Sequence, residues 1–197
     1  MALATAEDLA TRLGVALTPE ETTRADALLA RASGLVQDAA KQEIELVEDD
    51  VLTMRGTNEE RLLLPQRPVV SVASVTLDGV EVGGWYVDGN VLVRDGCDQD
   101  GVTLNWWGRG FGSPRQELVV TYSHGFAADA IPATVQAVVL EAVVRVWVNP
   151  GAVVGESHGS EQVQFMNGQP TGLLLMAHEE KALKRIFGRR LGAVWQS

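Results

Sequence analysis

Apolar positions follow a helical period at both ends of this chain and a two-residue period in between. Thr5-Ala-Glu-Asp8 reads as a helix start, with Leu9 and Leu13 on one face and Gly14 as the stop. Thr18-Pro-Glu-Glu21 is a stronger start: Thr18 caps, Pro19 takes the first helical position, and Glu21 closes a capping box. Behind it Ala25, Leu28, Leu29, Ala32, Leu35, Val36 and Ala39 keep the helical period, with Gly34 as a weak point or a place of close approach. From Glu43 the period shortens. Runs at 44–47, 51–54, 62–64, 69–77, 85–87, 91–94, 102–106 and 118–122 predict short strands, joined by tight turns at Asp78-Gly79 and Asp88-Gly-Asn90.

After Ile131-Pro132 a third helix carries Val135, Val138, Val139, Leu140, Ala142, Val143, Val144, Val146, Trp147 and Val148. Only Thr134, Gln136, Glu141 and Arg145 are strongly polar. A helix apolar around most of its circumference must be covered on most sides, and neighbouring copies are one source of cover. Val139, Val143, Val146 and Trp147 are the candidate subunit contacts. Asn149-Pro-Gly151 ends the helix. Residues 151–172 hold five glycines and one proline, with one apolar alternation at Val163-Gln-Phe165. A short amphipathic helix follows near 177–187.

The pattern predicts an α+β fold. N-terminal helices and a central apolar helix pack with an inserted antiparallel β-sandwich or barrel-like layer, and an extended C-terminal arm ends in a short helix. Residues 1–149 would form one body, with helices at 5–13, 19–40 and 132–148 and a β-rich insertion at 43–125. Residues 150–197 would be a flexible arm with a docking helix.

Charge changes this picture. The chain of 197 residues carries a net −10, but residues 178–197 hold five Lys and Arg against two Asp and Glu, net +3, leaving −13 on residues 1–177. An acidic body argues against wrapping nucleic acid. The basic end, with Lys181, Lys184, Arg185, Arg189 and Arg190, suits a phosphate backbone, an acidic protein partner, or its own helix dipole. No run of about 18 apolar residues predicts a membrane span, and the N-terminus lacks a signal-peptide pattern, so a cytoplasmic origin is expected. The single Cys97 offers no internal disulfide.

No constellation predicts catalysis. Ser123 and His124 are neighbours on a strand, so their side chains point to opposite faces and cannot make a nucleophile–base bond. His124, His158 and His178 lack metal-ligand spacing. Glu43, Glu45, Glu48, Asp49 and Asp50 read as a solvated acidic edge that guards a strand from stray pairing. The loop Trp106-Trp-Gly-Arg-Gly-Phe-Gly-Ser-Pro114 has no phosphate-binding fingerprint; Trp106, Trp107 and Phe111 are candidate contact residues. No cofactor or metal is expected.

Three ordered stretches carry a resemblance: Thr5 to Gly14 with Leu17-Thr-Pro-Glu-Glu21; Leu64-Pro-Gln-Arg-Pro-Val-Val-Ser-Val-Ala-Ser-Val-Thr-Leu-Asp-Gly79; and Val119-Val-Thr-Tyr-Ser-His-Gly-Phe126 with Ile131-Pro132. Together they resemble the head-to-tail connector, or adaptor, proteins of long-tailed double-stranded DNA bacteriophages and gene transfer agents. Residues 172–185 resemble the start of that family's closing helix, although Met176 stands where Thr or Ser would cap it. The β-rich region makes this a long version of a largely helical family.

The resemblance implies a structural virion protein, assembled in the host cytoplasm. It would form a ring, typically dodecameric, between the portal and the next neck or tail-completion protein, with double-stranded DNA passing through without sequence-specific contact. It also implies portal docking by the C-terminal segment. Val163, Phe165, Leu183, Lys184, Ile186, Phe187, Arg189 and Arg190 are the candidates for that contact. Alternatives are a tail-completion or other neck protein and, remotely, a hydrolase or metal-dependent enzyme.

Overall fold

The computed structural model describes residues 2–94, 110–148, 155–158, 161–164 and 172–188. The chain divides into two compact units: residues 42–130, and residues 1–41 joined with 131–197. The β-rich segment is thus a unit of its own, inserted into a helical unit whose chain it interrupts.

The helical unit starts with α1 (Ala6–Leu13), α2 (Pro19–Ala40) and α3 (Ala133–Val148), and closes with α4 (Ala177–Phe187). Local chemistry sets the first two boundaries. Thr5 and Thr18 accept from the backbone N–H of Asp8 and Glu21, whose carboxylates return a bond to each cap's own N–H, giving two capping boxes. The Glu21 carboxyl is held below its ordinary value by these bonds to Thr18. Gly14 ends α1 in the left-handed conformation, at φ 70°.

Packing then collects the apolar stripes. α2 packs against α3, with Leu29, Ala32 and Val36 of the one and Val135, Val139 and Val143 of the other all buried, and Leu9 of α1 and Leu183 of α4 are buried in the same unit. Ser33 pins the N-terminus from within this core: its hydroxyl donates to the Leu29 carbonyl at 2.7 Å and accepts from the Leu3 N–H at 2.9 Å.

The β unit contains β1 (Val47–Arg55), β2 (Arg61–Leu63), β3 (Val69–Leu77), β4 (Val80–Glu81), β5 (Tyr86–Asp88), β6 (Val91–Val93) and β7 (Glu117–His124). They form two antiparallel sheets, ordered β1-β7-β3-β4 and β2-β6-β5. Neither closes into a barrel, which removes that half of the expectation. One core lies between them: Val75, Leu77, Leu118, Val120 and Tyr122 from the larger sheet, Leu62 and Leu92 from the smaller, and Leu64 and Phe111 from connecting segments. The predicted turns hold. Asp78-Gly79 joins β3 to β4 with φ of 50° and 77°, as a two-residue hairpin turn with positive φ at both positions requires.

The expected first strand at 44–47 is instead a crossing point. Phe126 N–H donates to the Ile44 carbonyl and Leu46 N–H to the Phe126 carbonyl, both at 2.9 Å, so the two chain segments at the base of the unit are tied together. Gly125, at φ 94°, lies so close to the Glu45 carbonyl that no side chain fits between them. The expected strand at 102–106 lies outside the described residues. The arm contributes a hairpin, β8 (Gly155–His158) with β9 (Glu161–Gln164), where a single strand was expected.

Candidate assembly surfaces

The arrangement of α3 decides which of its apolar residues are available. Val135, Val138, Val139, Ala142 and Val143 are buried against the helices of the same chain. Val139 and Val143, expected at subunit contacts, are therefore already occupied: α1, α2 and α4 supply much of the cover that was assigned to other copies. Val146 is half-buried, and Trp147 lies under the Arg24 guanidinium, 4.8 Å from its ring centroid. On the opposite side Ala133, Ala137 and Val148 are exposed, with Leu140 and Val144 partly so.

α4 is held down by an ion pair. Arg145 donates through Nη1 to Glu179 Oε1 at 2.7 Å and through Nη2 to Oε2 at 3.0 Å; the same Nη2 also donates to the Leu174 carbonyl at 2.9 Å. Both side chains are largely withdrawn from water, 16% and 5% exposed. Glu179 also accepts from the Met176 N–H at 2.7 Å, so it supplies the reciprocal half of a capping box whose other half Met176 cannot provide with a hydroxyl. Burial raises the Glu179 carboxyl. The Arg145 hydrogen bond, the Met176 N–H and the charges of Arg145 and His178 outweigh that and hold it below its ordinary value.

Of the residues expected to dock, Leu183 and Phe187 are buried in the helical unit. Each stabilises it by about 1.5–3 kcal/mol through its own burial. Lys184 and Ile186 face outward, as do His178, Lys181 and Arg185, giving α4 a basic outer side. Val163 lies in β9. Phe165, Arg189 and Arg190 lie outside the described residues, as do Trp106 and Trp107 of the contact loop. Phe111, expected in that loop, is instead fully buried in the β-unit core. Its carbonyl accepts from the Thr57 N–H at 2.9 Å, and its own N–H donates to the Glu59 carbonyl at 3.2 Å.

Ser123 and His124 diverge as strand geometry requires. The Ser123 hydroxyl accepts from the Asp49 N–H at 3.2 Å, while His124 Nε2 lies 3.1 Å from Asp50 Oδ2 and its ring packs against Tyr122. Burial first, and then the nearby Asp50 and Glu43 charges, push the Tyr122 phenol up. Among the described residues no three His, Cys, Asp or Glu side chains are grouped to hold a metal ion. No helix among them is long and apolar enough to cross a membrane.

No family model matches the chain, and no curated protein matches it significantly. Among solved structures, a chain in the neck of an empty GTA particle computed with C6 symmetry is similar at a TM-score of 0.56. That match covers 95% of this chain and 90% of that one, at 13% identity. A chain in the virion of a native gene transfer agent (GTA) particle is similar at 0.55, over 98% and 93%, at 16% identity. The shared fold spans nearly the whole chain.

The Arg145–Glu179 fork joins residues 34 apart in the chain and is not predicted by the sequence pattern. Its one visible signal was Glu179 at the third position of a helix that lacks a hydroxyl cap, together with a lone cation, Arg145, late in an otherwise apolar helix.

Proposed function

We propose that this chain is a structural protein of the neck of a tailed, phage-like particle. Copies would form a ring between the portal and the next neck or tail component, through which double-stranded DNA passes. The observation that carries the reading is the fold shared over 95–98% of the chain with chains of gene transfer agent neck and virion particles. Two features of the chain support it. The acidic body, −13 over residues 1–177, suits a passage that must not hold DNA. The basic outer side of α4 suits docking on a surface of opposite sign.

In this reading Lys184 and Ile186, with Val163, Phe165, Arg189 and Arg190 of the C-terminal segments, contact the portal. Trp106 and Trp107 remain candidate contact residues of the assembly. Leu183 and Phe187 hold α4 in place.

The test is cosedimentation of the full chain with the portal ring of the same genome, beside Lys184→Glu combined with Ile186→Asp. Lys184 and Ile186 are exposed, the latter to 40%, and the buried Leu183 and Phe187 are left in place. The reading expects the unaltered chain to pellet with the portal and the double variant to stay behind with unchanged circular dichroism. Binding by both would remove α4 from the contact. Failure of both, with binding to tail tubes instead, would replace the portal-side role with a tail-completion role.

A further inference from the structure

The inward side of α3 is fixed by Val135, Val138, Val139, Ala142 and Val143. At 3.6 residues per turn the opposite side is Ala133, Ala137, Leu140, Val144 and Val148. Their spacing of four, three, four and four keeps them in one line along the helix. Every member is exposed or partly exposed, Val148 to 59%, and none is charged or polar. A surface helix ordinarily reserves this side for charged residues. Here it is an apolar stripe along the whole 16-residue element.

We propose that this stripe is the seat of a second copy of this chain, an inference that rests on the ring reading above. The occupant follows from the charges beside it. With a net −10, two copies repel across most of their surfaces. α3 carries one carboxylate, Glu141, and the charged groups of this helix are paired inside each copy. Arg12 pairs with Glu141, Arg145 pairs with Glu179, and Arg24 covers Trp147. A like-charged copy meets no unpaired carboxylate on this helix. A basic partner or a nucleic acid gains nothing from it, since the attraction such partners seek lies elsewhere.

The shape fits a neighbouring element as well. Ala133 and Ala137 allow close approach at one end, and Leu140, Val144 and Val148 supply apolar area toward the other. A helix of this length is about 24 Å long. One side of it covers on the order of 300 Å² per copy, below the roughly 800 Å² per partner of a standard stable interface. The stripe alone therefore gives weak, concentration-dependent pairing, which strengthens when a closed ring engages each copy on two sides.

The experiment uses sedimentation velocity of the full chain up to about 1 mM, with Val144→Glu and Ala137→Glu as variants. The unaltered chain is expected to associate as concentration rises. Each variant should weaken association about tenfold or more, because a carboxylate placed at the contact must be desolvated, while circular dichroism and Tm stay unchanged. Leu140 replaced by the photo-crosslinker benzoylphenylalanine should give copy-to-copy adducts, both in solution and in purified particles.

Association unaffected by either variant, a single species at every concentration, or adducts only to a different virion protein would each overturn the inference. The ring reading fails by a separate sign: copies that crosslink through α3 while the chain is absent from the necks of particles.

Discussion

Arg145 and Glu179, 34 residues apart in sequence, close on each other as a two-bond fork between α3 and α4. The fork joins three tasks in one carboxylate. It pairs a cation that would otherwise be left in an apolar helix, caps the start of α4 through the Met176 N–H, and places Leu183 and Phe187 over the core. Truncation after Val148 would therefore remove part of the helical core together with any docking surface.

Arg145→Ala leaves Glu179 buried without its partner and should destabilise the helical unit by roughly 3 kcal/mol. The control is Arg12→Ala, which breaks a pair between exposed side chains and should cost under about 1 kcal/mol. Hydrogen exchange across residues 177–187, with Tm for the whole chain, separates the two.

The same fork sets a pH window. Glu179 titrates below its ordinary value near 4.5, so its folded form binds a proton less readily than its unfolded form. Its contribution is complete above about 4.5 and is lost as the pH falls through the lower folded value. Exchange protection of α4 should thus hold through neutral pH and collapse in acid, with a steeper dependence below about 4.5 than Glu179→Gln shows. Equal slopes in the two proteins would assign the acid sensitivity to other carboxylates.

Gly34 sits inside α2 on an exposed surface, and a methyl group added there would meet nothing within 4 Å. The structure thus offers no close neighbour to justify a glycine. Gly34→Ala should stabilise the chain by about 0.5–1 kcal/mol, read as a rise in Tm.

Gly125→Ala should do the reverse. Its φ of 94° and its contact with the Glu45 carbonyl both exclude a side chain, at the point where the base of the β unit is tied by Ile44, Leu46 and Phe126. A loss of about 2 kcal/mol or more is expected. Denaturant unfolding monitored within residues 42–130 would measure it, and an unchanged midpoint would show that the backbone relaxes there.

Features set by neighbours in sequence were legible. The helix start at Thr5, the Thr18/Glu21 box and the Asp78-Gly79 turn are each written within four residues and appear as read, and the structure adds a second box at Thr5/Asp8. Features set by distant contacts were not. Val139 and Val144 are the same residue type on the same helix, and only the placement of α1, α2 and α4 makes one buried and the other outward. Phe111 reads as a loop aromatic until Thr57 and Glu59 capture its backbone. β7, late in the unit, inserts between β1 and β3, an order that hairpin signals do not encode.

The interruption of the helical unit by residues 42–130 has a consequence during synthesis. Leu29, Ala32 and Val36 leave the ribosome long before α3 and α4 exist to cover them. At about 5–20 residues per second, α2 waits roughly 5–20 s with its apolar side bare while the β unit is made. Every strand described in the β unit pairs within that unit, so its sheets can form in that interval. The later-encoded unit can therefore be finished while the earlier one still waits for α3 and α4, and α2 is the segment a chaperone would meet.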